Sequence, residues 1–67
     1  MSLTMGAPVM RLIRLREVMR MTGLARSTIY KVMKEGTFPS SVPLQSRAVA
    51  WVESEVQEWI EARLRAR

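Results

Sequence analysis

The 67-residue sequence predicts a mainly α-helical fold carrying one small β-hairpin. Apolar residues recur at helical spacing in three separate stretches, and Gly23 and Gly36 fall at the ends of the first two. Between the second and third stretches lies a proline-punctuated segment that ends in a run of strand-forming residues.

Taken in order, residues 1–9 contain Gly6 and Pro8 and show no period, so they are expected to form a flexible lead-in to a domain over residues 10–67. The apolar–basic run Arg11–Leu15 predicts a strand of three or four residues. Leu15, Val18, Met19 and Thr22 then follow the i, i+3, i+4, i+7 rule of a short helix, with Gly23 placed to close it in a left-handed conformation and Leu24 to anchor the turn. A second helix is predicted from about Arg26 to Glu35, stopped by Gly36. Two short helices joined through a glycine-centred turn have the outline of a helix-turn-helix. A generic helical hairpin shares that outline, but its outer face would mix both charges.

Pro39 and Pro43 exclude a helix in the next segment, and Val49–Val52 reads as a strand. The expected hairpin has arms at Val42–Leu44 and Arg47–Val52 and a turn at Gln45–Ser46, with Pro43 confined to an edge. A hairpin in this position is a wing, which makes the expected fold a winged helix-turn-helix. Helical periodicity returns from Glu53, with Val56, Trp59, Ile60 and Leu64 as the apolar stripe and Ser54 and Gln57 at capping-box spacing. Trp51 and Trp59 sit on apolar stripes and are read as core anchors.

Composition narrows the function. The chain has no cysteine, histidine or aspartate, so disulfides, the usual zinc sites and the usual nucleophile–base pairs are all out of reach. No cofactor, metal or small-molecule substrate is expected, and the chain is read as a binding protein and not an enzyme. No apolar run is long enough to span a bilayer and no signal peptide is evident, so a cytoplasmic protein is expected. The net charge of +5 is unevenly spread: Arg11 to Lys34 holds seven cations and the single acid Glu17, whereas Glu35 to Glu61 holds five acids and the single cation Arg47. The positive half would attract a polyanion.

The second helix carries the sharper signal. Ile29, Val32 and Met33 fall on one side, and Ser27, Tyr30, Lys31 and Lys34 on the other. An α-helix fits the major groove of B-DNA, where Arg, Lys and Ser side chains read base edges while cations and amides hold phosphates. Arg26, Ser27, Tyr30 and Lys31 are therefore the forward candidates, and Lys34, one turn on, is expected at phosphate. Thr28 belongs to neither stripe and is expected to bond an orphan backbone N–H or a phosphate. Arg47 suits a wing residue reaching the backbone or minor groove, with pairing to a nearby glutamate as the competing assignment.

The stretches "RLREVMRMTGLARSTIYKVMKEGTFP" and "RAVAWVESEVQEWIEAR" together resemble the AlpA-like prophage transcriptional regulators, small relatives of the MerR and excisionase DNA-binding domains. The resemblance covers Arg11 to Arg67 and implies a winged helix-turn-helix that binds promoter or attachment-site DNA. It places the recognition helix on Arg26–Glu35 and the wing on Val42–Trp51, with Arg47 near the tip. The sequence departs from the family pattern at two places. Ala25 stands where a serine N-cap is common, a loss of about 1 kcal/mol unless Ser27 or Thr28 compensates. Gln45–Ser46 stands where glycine is common in the wing, which points to a looser loop than a two-residue primed turn.

The expected function is sequence-specific recognition of double-stranded DNA by a transcriptional regulator, with further copies on adjacent sites and Met21 or the last helix as candidate contacts between them. An excisionase-like architectural factor that bends DNA is the alternative within the class. A basic protein-interaction adaptor is the alternative outside it, and RNA binding is disfavoured by the lack of interleaved aromatics on the basic face.

Overall fold

The computed structural model describes residues 10–67, and the expected lead-in over residues 1–9 lies outside them. The order of elements is β1 (Leu12–Ile13), α1 (Leu15–Thr22), α2 (Arg26–Lys34), β2 (Val42–Pro43), β3 (Val49–Val52) and α3 (Glu53–Ala66). This is a winged helix-turn-helix: three helices around a three-stranded antiparallel sheet of order β1-β3-β2. Leu12 pairs with Val52 and Ile13 with Trp51 on one side of β3, while Val42 pairs with Ala50 and Pro43 with Val49 on the other. Pro43 thus stands on an edge strand, where its missing N–H costs no ladder bond.

The core takes one or two residues from every element except β2, together with Phe38 from the segment between α2 and β2. Ile13, Val18, Ile29, Phe38, Trp51 and Val56 are buried together, and Leu15, Met19, Leu24, Val32, Met33, Trp59 and Ile60 pack around them. Fully burying a side chain of this size contributes about 1.5–3 kcal/mol, so the few central residues dominate a domain this small. Met21 also packs against this cluster and is only partly exposed, where a fully exposed side chain was expected.

Both helices of the helix-turn-helix end on glycine. Gly23 adopts φ 75° and its N–H donates to the Met19 carbonyl at 2.8 Å, closing α1. The Thr22 hydroxyl donates to the Val18 carbonyl at 2.8 Å and accepts from the Leu24 N–H at 3.2 Å, tying the turn to the helix it leaves. At the end of α2, Gly36 has φ 80°, Gly36 N–H donates to Met33 and Thr37 N–H to Val32, both at 3.0 Å, a Schellman arrangement. The chain then delivers Phe38 to the core, edge-on to Trp59 at 4.9 Å, and the Trp59 indole N–H donates to the Thr37 carbonyl at 2.6 Å.

Three local expectations are corrected. The wing turn is centred on Ser46–Arg47 and not on Gln45–Ser46: Ala48 N–H donates to the Gln45 carbonyl at 3.1 Å, and Ser46 and Arg47 take φ of 56° and 69°. Leu44 N–H also donates to the Ala48 carbonyl at 2.7 Å, in register with Pro43 opposite Val49, so the loop holds three residues, Gln45 to Arg47, and is looser than a two-residue primed turn, as expected. The capping box is absent, because α3 follows β3 without a linker and Val52 occupies the N-cap without a side-chain bond. Leu64, expected on the buried stripe, is 52% exposed, since the last turns of α3 run past the body of the domain.

Candidate nucleic-acid interface

Burial of Ile29 against the core fixes the rotation of α2, and with it the face that looks outward. Arg26, Ser27, Tyr30, Lys31 and Lys34 are exposed on that face, while Thr28 is half-buried. The Arg26 guanidinium lies 6.0 Å from the centroid of the Tyr30 ring. That ring in turn meets buried Trp51 edge-on, at 6.2 Å between centroids and 68° between planes. Tyr30 is therefore braced from below by β3 and flanked by a cation on its own helix.

The start of α2 has no acid in its first turn, and its N-cap, Ala25, offers no side-chain bond. Among the described residues neither Ser27 nor Thr28 makes a side-chain hydrogen bond, so the expected local compensation for Ala25 is not made. The first N–H groups of α2 keep the positive end of the helix dipole uncovered beside Arg26.

A groove of about 340 Å³ runs between the two helix starts and the wing, lined by Arg14, Leu15, Arg16, Arg26, Tyr30, Arg47, Ala48 and Val49. Of the residues expected from the sequence, it brings together Arg26, Tyr30 and Arg47. Ser27, Lys31 and Lys34 lie on the exposed face of α2 outside the groove walls, and Thr28 stands apart from both. Among the described residues the ion pairs are Arg11 with Glu53 and Arg20 with Glu17, each at 3.6 Å. Arg47 is in neither, so its pairing with a glutamate is not what holds it.

Arg14 and Arg16 are the groove residues that the sequence reading missed. A signal existed. Arg14 is the N-cap of α1 and Arg16 lies in its first turn, where a cation opposes the helix dipole by about 0.3–1 kcal/mol. Three arginines at helix starts, counting Arg26, run against local preference in the same direction. Departures from local rules are expected at functional or strained sites.

The family described as "Prophage CP4-57 regulatory protein (AlpA)" matches residues 11–64. The uncharacterized protein ORF88 of Enterobacteria phage P4 is 46% identical over 57 residues, covering 85% of this chain. The match spans 65% of that phage protein, just under two thirds of its length. The DNA-binding transcriptional activator AlpA of Escherichia coli K12 is 37% identical over 59 residues, covering 79% of this chain and 84% of AlpA. The family match takes in β1, both helices of the helix-turn-helix, the wing and most of α3. This chain belongs to the AlpA family of prophage regulatory proteins.

Proposed function

We propose that the chain is a sequence-specific DNA-binding transcriptional regulator, with α2 in the major groove and the β2–β3 wing on the adjacent backbone or minor groove. The observation that carries this reading is the convergence of unpaired arginines from α1, α2 and the wing beside the exposed face of α2. Exposed Ser27 and Lys31 then face base edges, Tyr30 at the groove wall meets a phosphate or a thymine methyl, and Lys34 falls on phosphate one turn along. Kinship with a relative named as a DNA-binding transcriptional activator supports the same reading.

One module of this kind buries roughly 600–1,000 Å² on DNA, so useful affinity calls for further copies on adjacent sites. Among the described residues no helix is long and apolar enough to cross a membrane, which fits a protein acting on DNA in the cytoplasm.

Fluorescence anisotropy tests the proposal. One labelled duplex carries the DNA beside the protein's own gene, and the other a scrambled sequence of equal length. Tighter binding to the first, weakening as salt rises and reduced in Lys31→Ala, is the expected outcome. Equal and weak binding to both would overturn specific recognition of that DNA and direct attention to an acidic protein partner.

A further inference from the structure

The groove and the outer face of α2 are adjacent but chemically different. Arg14, Arg16, Arg26 and Arg47 reach the groove from three elements, and none of them pairs with a carboxylate among the described residues. Each also occupies a position that local energetics disfavour. Arg14, Arg16 and Arg26 stand at helix starts, and Arg47 holds a left-handed backbone with φ 69°. Four like charges gathered around one concavity repel one another in the free protein. An anion that enters between them removes the conflict for all four at once. Ser27 and Lys31, by contrast, are exposed on α2 outside the groove walls.

We infer that this groove seats the sugar-phosphate backbone of one DNA strand, with Arg14 and Arg16 contacting phosphates opposite Arg47 of the wing. The inference rests on the reading of the chain as a duplex-DNA binder and divides the labour within it. The groove supplies affinity without regard to sequence, and the outer face of α2 supplies discrimination. Guanidinium groups suit the role because they meet phosphate oxygens through two donors at once.

The salt dependence of binding to a short mixed-sequence duplex tests it, and no operator sequence is needed. Each phosphate contact adds about 0.9 to the slope of log affinity against log salt, so Arg14→Ala/Arg16→Ala should lower that slope by about 1.8. The matched control is Arg65→Ala/Arg67→Ala, which removes the same net charge from exposed positions at the end of α3. It should leave the slope within error of the unsubstituted protein. Both substituted pairs are exposed, and circular dichroism melts confirm that each variant is folded before binding is measured.

An unchanged slope in Arg14→Ala/Arg16→Ala overturns the groove assignment, as does an equal fall in both double variants, which would make the effect one of net charge. If the unsubstituted protein binds the specific and scrambled duplexes alike but the slope still falls only for the groove pair, specific recognition fails while the groove assignment stands. If the unsubstituted protein shows no salt-dependent duplex binding, both are overturned.

Discussion

The turn between α1 and α2 reaches φ 75° at Gly23, whereas the wing turn reaches 56° at Ser46 and 69° at Arg47. Both turns need the left-handed backbone, and glycine adopts it without penalty. At Gly23 an added Cβ would meet nothing within 4 Å, so glycine is there for its backbone and not for want of space. In the wing, two residues with side chains hold the same backbone region at some cost. The difference lies in what each turn delivers. The first only has to set two helices at an angle, and Leu24 and Thr22 then secure it. The second has to place a guanidinium at its tip, and glycine has none to place. Strain of this kind points from an observed outlier toward function.

Four substitutions test that contrast. The largest effect is expected from Trp51→Ala, because Trp51 lies under Tyr30 of α2 and within the strand that carries the wing. Truncating a buried tryptophan costs about 3–5 kcal/mol. A domain of this length is expected to hold only about 3–10 kcal/mol in total. Both turns should lose their support together, seen as a lost or strongly lowered thermal transition by circular dichroism. A normal melt would show that the two regions are held independently.

Gly23→Val comes next. Forcing a β-branched residue into this conformation costs about 1–2 kcal/mol, and each kcal/mol lowers Tm by about 4–8 °C in a domain of this size. An unshifted Tm would mean that the turn relaxes to negative φ and that glycine is not required. Arg47→Gly should act in the opposite direction on stability, raising Tm by the few degrees that correspond to relief of up to about 1 kcal/mol. The same variant should weaken DNA binding and lower the salt slope by about 0.9. A rise in Tm with undiminished binding would remove the functional reason for the strain. The smallest effect is expected from Ala25→Ser, which restores an N-cap to α2 and adds about 0.5–1 kcal/mol. Its DNA affinity should stay unchanged, since Ala25 is not among the groove residues.

Much of the fold was legible in the chain because its signals are local. The stripe Leu15–Val18–Met19–Thr22 and the glycine after it define α1 to within a residue, and Arg26 and Gly36 bracket α2 in the same way. Pro43 announced an edge strand, and the sheet order β1-β3-β2 puts it on one. The misses share a cause. Ser54 and Gln57 have capping-box spacing, but β3 runs directly into α3 and leaves Ser54 inside the helix instead of at its cap. Leu64 continues the apolar period beyond the point where the body of the domain can cover it. The wing turn slipped by one residue because neither Gln45, Ser46 nor Arg47 carries the glycine or asparagine that marks such turns.

The candidate site divides along the same line. Arg26, Ser27, Tyr30, Lys31 and Lys34 could be named in advance because helical periodicity alone puts them on one face. Arg14 and Arg16 carried only the weaker signal of cations at a helix start, and they line one groove with Arg47 only once β1 and β3 pair and α1 packs against the sheet.

The helices, the glycine stops, the positive character of the first half and the outward stripe of α2 all follow from residues within a few positions of one another. Which cations face a common groove, and which turn of the wing carries Arg47 to it, is set by how the elements pack. Charge convergence and strand register arise from contacts between residues distant in the chain. No local period records them, and only the packed sheet brings them into one place.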